Sequence, residues 1–349
     1  MRILIAEDDE ALARFVRQGL EAERYSVDVF SDGEQARAAA TEFEYDVVIL
    51  DLNLPKLDGV SVLRHLRSKK PSVPVLVLTQ RTRVGDRVQC LDTGADDYVP
   101  KHLSSTSLDI LHIRSDLVAK IRAAAQSRKP RPPDVLARKP PQPQSEIRSA
   151  GSQTAPVIVA LGTSTGGPKA LQEILPLFPH DFSAPILVVQ HMPAGFTAPF
   201  AQRLNTLCAI TVREASHGEP AQPGVVYIAP SGKHMRVERI SASRATLSLD
   251  TQPEHYLHIP SVDVMMNSVA EAFRNLTLGV IMTGMGCDGA EGMLAIHRHG
   301  GTTIGQDEAT CAVYGMPRAC AERGILTSVV PLCQIPAQIL HAMRYRRRA

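Results

Sequence analysis

Residues 159–171 read VALGTSTGGPKAL: an apolar stretch, a glycine-rich turn and the opening of a helix. A strand that meets a helix through such a turn is the repeating unit of an open parallel sheet with helices on both faces. The turn also poses a chemical question, because strand-glycine-helix turns either cradle a phosphate or lift a nucleophile out of the sheet. The phosphate patterns do not fit: G-x-G-x-x-G needs glycine where Ser164 stands, and G-x-x-x-x-G-K-[ST] finds Pro168 in the lysine position. G-x-S-x-G does fit, from Gly162 to Gly166. It sets Ser164 in a tight turn and the backbone N–H groups of Thr165 and Gly166 at a helix N-terminus, where developing negative charge is favoured. On this pattern alone an ordinary turn or helix cap stays open beside a nucleophilic serine.

A nucleophilic serine needs a base within hydrogen-bond reach and a carboxylate to orient that base. The next apolar run, PILVVQ, ends directly in His191, and LGVIMTG runs into the loop GMGCDGA, which carries Asp288 just past another strand end. By their surrounding pattern His180, His217, His234, His255, His258, His297 and His299 are expected in loops or on helices. Ser164, His191 and Asp288 thus follow three strands and can converge. A hydrogen-bonded structural histidine and a turn or N-cap aspartate remain the alternatives. The order Ser, His, Asp differs from that of the α/β-hydrolases, where histidine comes last, so the residues point to a separate fold using the same chemistry.

The alternation of strands and helices extends both ways from this stretch. Residues 1–125 alternate as RILIA, SVDVF, DVVIL, VPVLVLT and YVP with helical stretches between them, one near Val88 and a last one at Leu117–Ala125. Residues 126–153 are proline-rich, basic and polar without apolar periodicity, the composition of an extended solvated linker. From 154 to 349 the alternation resumes, with MRVERI and ATLSLD as a candidate antiparallel hairpin and a short closing helix after GGTTIGQD. The expected architecture is therefore α/β, two doubly wound parallel-sheet domains joined by a Pro/basic linker. A chain of 349 residues is long enough for two cores.

Composition narrows the function. A net charge of +2, 4% aromatic residues and no tryptophan argue against nucleic acid as a partner. No run approaches a membrane span and MRILIAEDDE lacks the regions of a signal peptide, so a cytoplasmic protein without membrane insertion is expected. Six cysteines without a C-x-x-C read as reduced thiols, not as a disulfide frame or zinc site.

In the first domain, polar residues gather at the carboxyl ends of the strands, where open parallel sheets bind ligands. Glu7, Asp8 and Asp9 follow the first strand, Asp51 ends the third, Thr79 the fourth, and Lys101 follows the fifth. Clustered carboxylates call for a hard cation, and a cation beside Asp51 suits phosphoryl transfer to it. The stretches ILIAEDDEALA, DVVILDLNLPKLDGV, VLVLTQ and GADDYVPK resemble a response-regulator receiver domain, which implies a flavodoxin-like fold. The resemblance implies Asp51 as phosphoacceptor and Glu7, Asp8, Asp51 and the backbone carbonyl of Asn53 as Mg²⁺ ligands. It implies Thr79, Tyr98 and Lys101 as switch residues and a sensor histidine kinase as phosphodonor. His102 stands where receivers usually have proline.

In the second domain, VIVALGTSTGGPKAL, VVQHMPAGF, IPSVDVMMNSV, GVIMTGMGCDGAEGM and GQDEATCAVYGMPRA resemble the chemotaxis-type protein-glutamate methylesterase, CheB. The resemblance implies a Rossmann-like catalytic domain with Ser164 as nucleophile, His191 as base and Asp288 as its orienting carboxylate. It adds the N–H of Met285 to that of Thr165 as the oxyanion donors. The implied activity is phosphorylation-activated hydrolysis of glutamate 5-methyl esters on chemoreceptor helices, with deamidation of receptor glutamines; no cofactor is expected for hydrolysis, and nothing in the sequence demands more than a monomer. Ile259 stands for a usual arginine and Cys311 for a usual serine, both placed by the resemblance at the substrate rim. The rival readings are another methylated protein as substrate, a non-catalytic phosphorylation-dependent interaction protein, and a DNA-binding regulator, for which residues 155–340 offer no helix-turn-helix.

Overall fold

The structure, a computed structural model, describes residues 1–71, 73–79, 93–101, 121, 157–192, 195–241, 244–253, 256 and 258–344. The expected helix near Val88, the linker 126–153 and His102 lie outside these residues, and of the expected helix at Leu117–Ala125 only Ile121, helical and buried, is described. Elements are labelled in chain order among the described residues.

In the first unit, β1 (Arg2–Ala6), β2 (Ser26–Phe30), β3 (Val47–Asp51), β4 (Val75–Thr79) and β5 (Asp97–Pro100) form a parallel sheet in the order β2-β1-β3-β4-β5. This is the flavodoxin-like order, with the switch point between β1 and β3. The strands read as unbroken apolar runs because helices cover both faces: Ile3, Leu4, Ile5 and Val47 through Leu50 are buried. Helices α1 (Glu10–Ala22), α2 (Gly33–Glu42) and α3 (Gly59–Lys69) each start at an aspartate, Asp9, Asp32 and Asp58, whose carboxylate accepts from first-turn N–H groups. Asp9 is thereby committed to a cap and leaves Glu7 and Asp8 at the sheet edge.

The second unit is built on seven parallel strands in the order β14-β13-β12-β6-β7-β9-β8. They are β6 (Ile158–Thr163), β7 (Ile186–Gln190), β8 (Thr211–Glu214), β9 (Val225–Ile228), β12 (Thr277–Ile281), β13 (Thr302–Gln306) and β14 (Ser328–Val330). The order departs from a Rossmann sheet at one flank, where β9 is inserted between β7 and β8. The expected hairpin is present as β10 (His234–Arg239) and β11 (Ala245–Asp250), paired antiparallel with His234 opposite Asp250. Helices α4 (Gly167–Ile174), α5 (Thr197–Leu207), α6 (Val262–Phe273), α7 (Ala290–Arg298), α8 (Met316–Glu322) and α9 (Ile335–Arg344) complete it. The single closing helix expected after β13 is in fact α8, β14 and α9, because Gly324 and Pro331 interrupt the run and allow a further edge strand. The two units touch through an ion pair, Lys169 Nζ on α4 to Asp96 Oδ1 just before β5, at 3.1 Å.

Candidate active site

Three neighbouring strands, β12, β6 and β7, carry the three residues singled out in the second domain. Register pairs Gly162 with Ile281 on one side and Thr163 with Gln190 on the other. The chain continues from β6 into β7 on one side and returns later through β12 on the other, so the crevice at their carboxyl ends is a topological switch point. Ser164 leaves β6 there, half-buried, and its N–H donates to the carbonyl of Thr283 at 3.0 Å. The turn needs its glycines. Gly166 has φ +78°, and a Cβ on Gly162 would come within 2.3 Å of Val262 Cγ1.

His191 and Asp288 are brought together: Nε2 of the imidazole lies 2.8 Å from Asp288 Oδ2. The carboxylate is held from the opposite side by the start of α6. Ser261 Oγ donates to Oδ1 at 2.8 Å, Val262 N to Oδ2 at 2.8 Å and Asp263 N to Oδ1 at 3.0 Å. Burial alone would raise the pKa of Asp288, but the imidazole contact and these helix N–H donors outweigh it and hold the carboxyl well below the usual range. Asp263, beside it in the first turn of α6, shifts the other way, to about 6. Its burial dominates and the Asp288 charge adds to it, against an N–H bond from Gly292. Because Nε2 is engaged with Asp288, Nδ1 is the imidazole nitrogen left to take a proton; it is buried and has no hydrogen-bond partner. The His258 ring stacks on that of His191 with centroids 4.1 Å apart.

No hydrogen bond joins Ser164 Oγ to the imidazole, a contact that commonly tightens only when substrate is bound. Beside Ser164, a Cβ added at Gly284 would lie 2.9 Å from the serine Cβ, so the chain entering Met285 passes close to the Ser164 side chain. The N–H groups of Thr165 and Met285 donate to no described residue. Thr283 ties this corner together: its carbonyl accepts from Ser164 N and Thr163 Oγ1, its Oγ1 donates to Thr165 O, and its N–H donates to the buried Gln306. Met285 is exposed and Ile259 half-buried. Cys311, expected at the rim, is buried instead, and burial pushes its thiol pKa up. It is a packing residue, placed there because the loop after β13 folds inward against Thr283, with Val313 N on Thr283 Oγ1.

Sequence reasoning found the three polar strand-end residues and missed the groups that hold them. Ser261 carried a signal, a serine directly before the apolar periodicity of α6. Thr283, Gln190 and His258 carried none, since their roles arise from contacts between distant segments.

At the carboxyl edge of the first sheet, Glu7 and Asp51 are buried and Asp8 is exposed, and one carboxylate oxygen from each lies within 4.8 Å of the others. Lys101 Nζ bridges Glu7 and Asp51 at 2.7 Å each. Burial raises Glu7 to about 7, opposed by Lys101 and assisted by the Asp51 charge. Burial also opposes the charge on Lys101, but its two carboxylate partners prevail and raise its pKa. Oδ1 of Asp51 is buried without a partner, and an orphaned carboxylate oxygen among two further acids suits a hard divalent cation. Asn53 is exposed two residues beyond β3; Thr79 and Tyr98 take their places at the end of β4 and on β5.

Comparison with known proteins agrees with this arrangement. The family profile "CheB methylesterase" matches residues 159–339 and "Response regulator receiver domain" matches residues 3–111. A protein-glutamate methylesterase/protein-glutamine glutaminase of Nitratidesulfovibrio vulgaris is 39% identical, covering 89% of this chain and 90% of that relative. One of Oleidesulfovibrio alaskensis is 38% identical, covering 97% and 99%. The crystal structure of the Thermotoga maritima CheB methylesterase catalytic domain is 40% identical, covers 54% of this chain and 99% of that one, and superposes with a TM-score of 0.52. The class is thus a receiver domain joined to an α/β methylesterase-type domain. The chain belongs to the CheB methylesterase family.

Proposed function

We propose that this protein hydrolyses glutamate 5-methyl esters on the cytoplasmic helices of methyl-accepting chemoreceptors to glutamate and methanol, deamidates receptor glutamines, and so serves chemotactic adaptation in the cytoplasm. The observation that carries the reading is the Asp288 carboxylate, anchored on the N-terminus of α6 and bonded to His191 Nε2, one strand away from Ser164 on either side.

In this reading His191 Nδ1 takes the Ser164 proton as Oγ attacks the ester carbonyl. The oxyanion forms against the N–H groups of Thr165 and Met285, each worth about 2.7–4 kcal/mol by analogy with single oxyanion donors. Collapse breaks the bond to methoxide, which leaves as methanol with the proton from His191. Water then gives a proton to His191, attacks the glutamyl-serine ester and releases glutamate, and Oγ recovers its proton. With a glutamine side chain the first leaving group is ammonia.

The receiver, residues 1–125 with the linker to 153, regulates the catalytic domain of residues 154–349. Asp51 accepts a phosphoryl group from a sensor histidine kinase, Lys101 neutralises the oxygens, and Thr79 and Tyr98 relay the change. Glu7, Asp8, Asp51 and the Asn53 carbonyl would hold Mg²⁺, which when bound supplies charge neutralisation at the phosphoryl group. The Lys169–Asp96 ion pair supports a receiver resting against the helix that begins beside Ser164. Methanol release from methylated receptor fragments tests the proposal: it should require Ser164 and leave no product with Ser164→Ala. Fluorophosphonate labelling without methanol release would retain a serine esterase and reject this substrate.

A further inference from the structure

We infer that Gln190 is a positioning residue that sets the reach between Ser164 and His191, an inference that rests on the triad reading above. Gln190 is the last residue of β7 and only 1% exposed. Its Nε2 donates to the carbonyl of Ser164 at 3.0 Å and to the carbonyl of His191 at 2.9 Å. The sheet ladder ends one step earlier, with His191 N on Thr163 O at 3.3 Å. Beyond that point the chains after β6 and β7 diverge, and the amide of Gln190 supplies the next rung between them. Both neighbours of Nε2 are acceptors, so the amide has one workable orientation, with Nε2 toward the two carbonyls.

Oε1 is buried without a partner and faces Gly167, where an added Cβ would fall 1.9 Å from it. Leaving a buried acceptor unpaired carries a cost in stability. Gln190 accepts that cost to direct both of its N–H bonds at the two residues whose separation matters for proton transfer. The second glycine of the GG pair after Ser164 is therefore required by Gln190. Its φ lies outside the left-handed region, so the requirement is for space.

The test uses the full chain and the rate of fluorophosphonate labelling, with a melting curve for each variant. Ser164→Ala comes first: loss of labelling establishes that the probe reads Ser164, whereas persistent labelling overturns the nucleophile assignment and with it the inference. Gln190→Met keeps the length and volume of the side chain and removes both donors. Its labelling rate should fall about 10- to 100-fold, the effect of a small misplacement between reacting groups. With methylated receptor fragments the loss should appear in kcat and leave KM unchanged. Gln190→Glu gives a second reading if the first variant folds poorly. Its rate relative to wild type at each pH should be lowest at pH 8 and recover toward pH 5, as the acid protonates and regains one O–H donor. Labelling of Gln190→Met at the wild-type rate, or a Gln190→Glu ratio that stays flat across pH, overturns the inference.

Discussion

Asp288 holds two positions at once, bonded to His191 Nε2 on one side and to three donors at the start of α6 on the other. An ionised carboxylate accepts all four bonds, whereas an amide offers one acceptor oxygen and two unwanted donors. Asp288→Asn should therefore lower kcat by about 10³- to 10⁴-fold, as loss of the orienting carboxylate does in serine hydrolases, with KM little changed. Steady-state methanol release reads both constants. Asp263 gives a pH signature. Its pKa rises from 3.8 in the unfolded chain to about 6 when folded, so the folded state binds the extra proton between these values. The stability it contributes is fully present below about pH 4 and is lost as pH rises to 6 and above. Asp263→Asn should then raise the melting temperature at pH 8 and leave it nearly unchanged at pH 4; equal shifts at both would contradict the assignment.

At the scale of elements, the site depends on how helices begin. Ser261 caps α6 and also donates to Asp288, so Ser261→Ala should cost more than the ~1 kcal/mol of an ordinary cap, measured by denaturant unfolding. Gly166→Ala places a Cβ at φ +78° and 2.5 Å from that of Ala312, and should destabilise the fold by about 1–3 kcal/mol while displacing Ser164. The elements themselves were readable from sequence wherever an apolar run met a turn: the strands ending at Thr163, Gln190 and Asp51 stand where their patterns end. The polar residue after each run was informative for the same reason, since the sheet edge is where polar groups meet solvent or ligand. Contacts between segments far apart in the chain were not readable. Nothing local to GMGCDGA announces that Asp288 caps a helix 26 residues upstream, and nothing in VVQH announces that Gln190 reaches back to Ser164. The insertion of β9 between β7 and β8 and the edge strand β14 belong to the same class, because strand order is decided by packing across the whole sheet. Cys311 was misplaced at the rim because a loop's sequence does not reveal which way it folds.

For the whole molecule, a receiver domain joined to a methylesterase domain is the arrangement that the proposed regulation uses. Lys169 lies five residues after Ser164, and its ion pair to Asp96 connects the catalytic helix to the segment entering β5, the strand of Tyr98. On the proposed reading, a receiver resting there limits access to the serine, and phosphorylation at Asp51 favours another arrangement. Removing residues 1–125 should raise basal activity above that of the unphosphorylated whole chain. A shortened protein that is no faster would mean that the receiver activates by some means other than uncovering the site. Among the described residues no helix is long and apolar enough to cross a membrane.

The most direct measurement is methanol release from methylated receptor cytoplasmic fragments by the wild type, Ser164→Ala and Asp51→Ala, each with and without Mg²⁺ and a small phosphodonor. The account predicts release by the wild type that rises with phosphodonor, release by Asp51→Ala that does not rise, and none by Ser164→Ala. Release that survives Ser164→Ala, or that responds to phosphodonor without Asp51, would contradict it.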